Sequence, residues 1–257
     1  MIITLTTDFG LEDPYVAAMK GVILGIHPEA LIVDVTHVLR PHAIDEAAFV
    51  LKQAVSYFPA KTIHVAVVDP GVGTDRAGLL VLAGGQSFLA PDNGLLQYVF
   101  DAHPDAVVYK LTRTEFVLKP TSPTFHGRDV FAPIAAHLAN GEGPEAFGEP
   151  FNHFNRGAVR KPVVGNREIK GEILLLDRFG NAVTNIEARF LDVPLRMEVS
   201  VGRFRIRGLS RTYADSPSGK PLALIGSHGH LEIAINQGNA EKAMRLRKGT
   251  AVTVRLK

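Results

Sequence analysis

The chain has 257 residues, 46% hydrophobic and 21% charged, which is enough to bury a sizeable core in one large domain or two modest ones. Its formal charge of +2 is spread along the length, and the densest basic stretch, Arg245-Leu246-Arg247-Lys248, reads as a solvated face, so a nucleic-acid surface is not expected. With no cysteine, disulfides, thiol nucleophiles and thiolate metal ligands are excluded, and no apolar run approaches the roughly 18 residues of a membrane span; a cytoplasmic enzyme with a small-molecule partner is the expectation.

In chain order, residues 2–7 read as a β-branched strand, 14–26 as an amphipathic helix, 31–35 as a strand, 43–57 as a helix and 62–68 as a third strand. This alternation predicts a parallel sheet with crossover helices. Short runs at 79–83, 87–90 and 106–109 extend it, and a helix over 128–139, ended by Asn140-Gly141, closes the section. From 147 to 161 the chain turns to Gly, Pro, Asn and His without periodicity. Beyond it come short strands at 172–177, 197–201, 203–207, 222–225, 231–235 and 251–256, with no long helical pattern. The expected architecture is α/β: a Rossmann-like domain with a mainly parallel sheet over 1–155, a linker over 156–168, and a smaller antiparallel β-barrel domain over 169–257.

Polar residues gather where the first three strands end, the edge at which parallel α/β sheets bind ligands. Asp8 follows the first strand, Asp34 and His37 the second, and Asp69 the third. Asp8 suits an Asx turn or helix cap, or equally a pair of ribose hydroxyls. Asp34 and His37 suit loop backbone. The stretch Asp69-Pro70-Gly71-Val72-Gly73-Thr74-Asp75-Arg76 lacks both the dinucleotide and the phosphate-loop glycine patterns, so Asp69 and Arg76 read either as a structural ion pair or as a charged pair beside a reacting water. Pro91-Asp92-Asn93-Gly94 is a turn by composition, with Asn93 able to read a base or hydroxyl edge. His126, in Thr124-Phe125-His126-Gly127-Arg128-Asp129, stands in a Gly-flanked loop suited to water chemistry. Asp177-Arg178-Phe179-Gly180-Asn181 reads as a hairpin loop. In Ser227 to Asn239, His228 and His230 share a strand face but find no third metal ligand.

Taken together, these motifs resemble the S-adenosylmethionine hydroxide adenosyltransferase family, the adenosine-forming S-adenosylmethionine hydrolases, which is related to the fluorinating and chlorinating S-adenosylmethionine enzymes. Six motifs in order, from Thr7-Asp8-Phe9-Gly10 to the Ser227–Asn236 stretch, cover nearly the whole chain. The resemblance implies attack of water on the ribose C5′ of S-adenosylmethionine, giving adenosine and methionine. It implies no metal and no cofactor, the S-adenosylmethionine being substrate. It also implies a homotrimer whose sites lie between the N-domain of one subunit and the C-domain of its neighbour. Family roles place Asp69, Arg76 and His126 around the water, Asp8 on the ribose and Asn93 close to the ligand. They place Asp177 and Asn181 with the methionine portion, and Ser227 and Asn236 near the adenine. The halogenating relatives lack the Asp, Arg and His trio, so hydrolysis is expected over halogenation. His228 stands where they carry an arginine, and its part does not transfer.

Overall fold

A computed structural model of the chain describes residues 1–157, 161–191 and 197–256. Two compact units, Met1–Val159 and Arg160–Lys257, carry separate sheets and cores. The linker expected over 156–168 falls partly on residues 158–160, which lie outside the described residues.

The first unit begins as the sequence pattern suggests. Strands β1 (Ile2–Thr7), β2 (Leu31–Thr36) and β3 (Ile63–Val67) alternate with helices α1 (Tyr15–Ile26) and α2 (Ile44–Val55). β1 and β3 are buried on both faces, which their β-branched and apolar residues permit; His64, the exception in β3, meets the Thr4 hydroxyl of β1 at 2.8 Å. α1 turns Val16, Met19 and Ile23 inward at helical spacing. α2 buries Ala47, Ala48 and Leu51, with Asp45 and Glu46 in its first turn and Lys52 in its last to suit the helix dipole.

The sheet then departs from expectation. β4 (Gly78–Ala83) and β5 (Gln86–Pro91) form a hairpin through Gly84-Gly85, whose φ values of +57° and +74° are those a two-residue turn needs at both central positions. After α3 (Gln97–Ala102), β6 (Val107–Leu111) and β7 (Gly148–Pro150) complete the order β2-β1-β3-β5-β4-β6-β7. β2, β1, β3 and β5 pair parallel, whereas β4, β6 and β7 join antiparallel. A mixed sheet therefore replaces the mainly parallel one, because the glycine pair reverses the chain between two short runs that were expected to extend the parallel sheet.

The helix expected from residue 128 also starts differently. A single wide turn spans Gly127–Phe131, with Ala132 N–H donating to the Gly127 carbonyl, and regular α4 runs over Ala132–Ala139. Pro133 has no N–H to give Asp129, whose carbonyl accepts from Leu118 N–H instead (2.9 Å).

In the second unit, β8 (Val163–Val164) lies within the expected linker and pairs with β9 (Glu168–Leu176). β10 (Ala182–Glu187), β11 (Met197–Val201), β12 (Phe204–Arg207), β13 (Pro221–Ile225), β14 (His230–Ile235), the short α5 (Ala240–Met244) and β15 (Ala251–Leu256) follow. All pairings are antiparallel in the order β12-β11-β15-β9-β10-β14-β13. β9 changes partner from β15 to β10 at Glu172 and Ile173. Gly171 serves that corner, since a methyl there would meet Asn185 and Ile186. At the ends of the path Ser210, just past β12, bridges Leu224 of β13, so the sheet is nearly barrel-shaped. Its interior is filled by Val199, Val201, Ile233, Val252 and Val254.

Candidate active site

β1 ends at Thr7 and β3 at Val67, so Asp8 and Asp69 emerge together at one sheet edge. They line a cleft of about 270 Å³ with Phe9, Tyr15, His42, Phe125 and His126. Asp69 and His126, which both line it, are joined through Arg76, which is not itself among the lining residues. Arg76 Nε donates to Asp69 Oδ1 at 3.0 Å and Nη2 to Asp69 Oδ2 at 2.5 Å, a bidentate fork. The other Nη2 hydrogen reaches His126 Nδ1, 2.7 Å away. A guanidinium only donates, so Nδ1 must offer its lone pair, and the ring proton of neutral His126 is thereby assigned to Nε2. Burial, then the Arg76 charge, lower the His126 pKa against the opposing pull of Asp69 and Asp129. Geometry and electrostatics thus agree on a neutral imidazole.

Two glycines make this approach possible. Gly73 has φ +80°, and a methyl there would stand 2.6 Å from the Pro123 carbonyl oxygen, so the Asp69 loop rests directly on the segment leading to His126. Gly127 packs under the Phe9 ring, where a methyl would lie 3.2 Å from two ring carbons. Phe9, Tyr15 and Phe125 meet edge to face with centroids 5.2–6.0 Å apart, and the Arg128 guanidinium lies 4.9 Å from the Phe125 ring. Asp129 is buried below and accepts from the Arg128 fork and from Ser122 N–H. Burial alone would raise its carboxyl, but those donors hold it below the usual range. This aromatic wall was not singled out in the sequence. Phe9 and Phe125 directly flank Asp8 and His126, which was a usable signal; Tyr15 joins only through the fold.

Asp8 Oδ2 accepts the His42 N–H at 2.8 Å, which fixes the carboxylate at the cleft edge. Asp34 is not among the cleft's lining residues. Its carboxylate pairs with Lys20 Nζ (2.6 Å) and lies 3.1 Å from His37 Nε2, while His37 Nδ1 meets the Thr7 hydroxyl. Burial pushes the Asp34 pKa up, but Lys20 and His37 outweigh it and hold the carboxyl low. Asn93 does not line the cleft either: its Nδ2 donates to the Val68 carbonyl (2.8 Å) and its Oδ1 accepts from Leu95 N–H (3.2 Å).

In the second unit, Asp177 Oδ1 accepts from the Phe179 and Asn181 N–H groups, and Oδ2 from the Asn181 amide (3.1 Å). The loop so fixed holds Phe179 76% exposed. Phe179 and Asn181 line a depression with Tyr213, Gln237 and Asn239. Tyr213 donates to Glu232 at 2.7 Å; burial first and that carboxylate second raise the phenol's pKa. His228 sits in the turn before β14, not on the strand, and its Nε2 is 3.1 Å from Glu232 Oε2. Ser227 precedes β14 and Asn236 follows it, so six strand residues at ~3.3 Å each keep them about 20 Å apart. This unit therefore brings Asp177 and Asn181 together and leaves Ser227 and Asn236 at opposite ends of one strand.

A carboxylate and a neutral imidazole, each bonded to one guanidinium at the ligand edge of an α/β sheet, form an arrangement that can orient a water molecule, as enzymes that handle water require. The chain belongs to the SAM hydroxide adenosyltransferase family: residues 3–148 match its N-terminal domain and residues 171–253 its C-terminal domain. It is 40% identical to the (R)-S-adenosyl-L-methionine hydrolase of Thermus thermophilus, with 96% of each chain covered. The protein of the same name from Methanocaldococcus jannaschii is 34% identical over 95% of this chain and 92% of its own. A fluorinase from Nocardia brasiliensis is more distant, at 28% identity over 99% and 97%. Among solved structures, an uncharacterized conserved protein from Thermotoga maritima superimposes with a TM-score of 0.92 at 38% identity, covering 99% of this chain and 100% of its own.

Proposed function

We propose that this enzyme hydrolyses S-adenosylmethionine to adenosine and L-methionine, and that it takes the (R)-sulfonium epimer named for its hydrolase relatives. The observation that carries the reading is that Asp69 and His126, lining one cleft with Asp8, are both bonded to Arg76. Water oxygen attacks C5′, the C5′–S bond breaks with its electron pair going to sulfur, and the thioether leaves neutral. No acid is needed for that departure. The attacking water must give up a proton, and the assigned tautomer divides the labour. His126 Nε2–H offers a donor to the water, while Asp69 is the only anionic acceptor of the trio.

Arg76 stays charged at working pH and keeps the carboxylate and the imidazole in register. Placement of the water and C5′ in line supplies up to ~7–11 kcal/mol of barrier lowering in favourable cases, so Asp8 on the ribose matters as much as the trio. Asp177 and Asn181 serve the methionine portion in this reading, and of Ser227 and Asn236, held about 20 Å apart by β14, only one can reach the adenine of a given ligand. The cleft of about 270 Å³ lies below the ~300–1,000 Å³ of a typical ligand pocket. That size supports completion of the site by the second unit of a neighbouring copy in a homotrimer, for which sedimentation is the check. Among the described residues no helix is long and apolar enough to cross a membrane, and a cytoplasmic location is part of the proposal.

The test is incubation with S-adenosylmethionine in 18O-labelled water, with and without chloride. Label in the adenosine 5′-hydroxyl is expected in both cases. A 5′-chloro product, or label in methionine alone, refutes the displacement by water.

A further inference from the structure

The arch of residues 68–77, which carries Asp69 and Arg76, leaves β3 and returns into β4 across the end of β5, because β5 lies between those strands. The end of β5 is the turn Pro91-Asp92-Asn93-Gly94. That turn bonds both feet of the arch. Asn93 Nδ2 donates to the carbonyl of Val68, which immediately precedes Asp69 (2.8 Å), and Asp92 N–H donates to the carbonyl of Ala77, which immediately follows Arg76 (2.9 Å). The turn is itself held from outside, since Asp92 Oδ1 accepts the Asn155 N–H (2.8 Å) and the Asn155 side chain accepts Gly157 N–H. Gly94 and Gly157 lie so close that a methyl on Gly94 would stand 2.6 Å from the Gly157 Cα.

We infer that Asn93 is a positioning residue: it acts on Asp69 through the Val68 carbonyl and, with Asp92, sets the span of the arch on which the Asp69–Arg76 fork and the Arg76–His126 bond depend. Asp92 and the 155–157 segment brace it. This inference rests on the site proposed above, and it differs from a substrate contact by Asn93 in what it predicts. A clamp that fixes the feet of a catalytic loop changes the chemical step, and misplacement by about 1 Å lowers rate by up to ~100-fold while leaving ligand contacts in place.

The experiment compares Asn93→Ala, Asn93→Asp, Asp92→Ala and Asp92→Asn in the full chain. Asn93→Asp keeps the side-chain size and the acceptor for Leu95 N–H but loses the donor to Val68, so it carries the test where Asn93→Ala fails to fold. Three quantities are read: kcat and KM with S-adenosylmethionine, the Kd of adenosine by calorimetry, and the 15N signals of the His126 ring, which report whether Nδ1 stays unprotonated in a single tautomer. Both Asn93 variants are expected to lose about 10- to 100-fold in kcat, with adenosine Kd within about twofold of the parent and the His126 ring sampling both tautomers. Asp92→Ala shows a smaller loss of the same kind, and Asp92→Asn, which retains the oxygen facing Asn155, restores it. A raised adenosine Kd with kcat unchanged makes Asn93 a ligand contact and overturns the inference, as does a folded Asn93 variant with an unaltered His126 ring. The ring signals need no turnover, so a failure of the proposed reaction is separable from a failure of the clamp.

Discussion

Replacing Arg76 with lysine keeps the charge and removes the fork, which makes it the sharpest probe of the site. In the parent, two nitrogens of one planar group serve three acceptor atoms at 3.0, 2.5 and 2.7 Å. A lysine ammonium donates from a single nitrogen and cannot span both Asp69 oxygens and His126 Nδ1. It keeps one carboxylate contact, losing a second carboxylate bond and the imidazole bond. Hydrogen bonds to charged groups are each worth ~1.5–3 kcal/mol, and the lower figure applied to two gives about 3 kcal/mol. The arginine side chain is only 11% exposed, so water restores little of that. At ~1.4 kcal/mol per tenfold, kcat should fall about 100-fold, with KM within a few-fold because the lost bonds lie within the trio. Adenosine release under saturating substrate, followed by chromatography, is the assay. A lysine variant within about threefold of the parent kcat would mean that charge alone suffices and that the fork geometry is incidental.

The pH profile tests the neutral imidazole. The proposed mechanism uses His126 without a proton on Nδ1, and burial and Arg76 lower its pKa, so the acid limb of kcat should lie below pH 6.5; a limb at or above that value contradicts the assignment. His64, buried among Phe58, Phe88 and Thr4, has its pKa lowered to about 4, chiefly by burial. Between pH 6.5 and 4 the unfolded chain therefore binds a proton that the folded chain refuses, and stability should drop by up to about 3 kcal/mol as pH falls through that window, read by urea unfolding. A pH-independent His64 contribution, seen as equal slopes for the parent and His64→Gln, would refute this. Gly73→Ala forces a β-carbon against the Pro123 carbonyl at positive φ, and should lower the melting temperature and cut kcat at least tenfold by prising the Asp69 loop from the His126 segment.

The early strands and helices were legible because their patterns are plain: β1 is a run of Ile, Leu and Thr, β3 is aliphatic apart from His64, and α1 repeats its buried residues every three or four positions. The reversal at Gly84-Gly85 was equally written in the chain, as two adjacent glycines between β-rich runs, but the established βαβ rhythm outweighed it. The wide turn at Gly127 depends on where Pro133 falls relative to Asp129 and on a long-range bond from Leu118, which no local pattern encodes. Motif by motif, Asp69, Arg76 and His126 offered only an acid, a cation and a base. Their contact spans 50 residues of sequence, and the resemblance joined them before the geometry did. Asn93 shows the opposite limit: its type allowed a ligand contact, and only coordinates place its amide on Val68 and Leu95.

The antiparallel return of β4 has a bearing on how the site comes into being. Had β4 run parallel, Asp69 and Arg76 would have been parted by a crossover of a dozen or more residues. Instead they sit seven apart on one short arch, so their pairing closes a small loop and carries little chain entropy. The fork can therefore assemble early, from local sequence, while His126 arrives only when α4 docks on the sheet. Sequence changes within the arch and changes in the α4 region should accordingly separate in refolding experiments, the former altering a fast local event and the latter the slower closure that completes the trio.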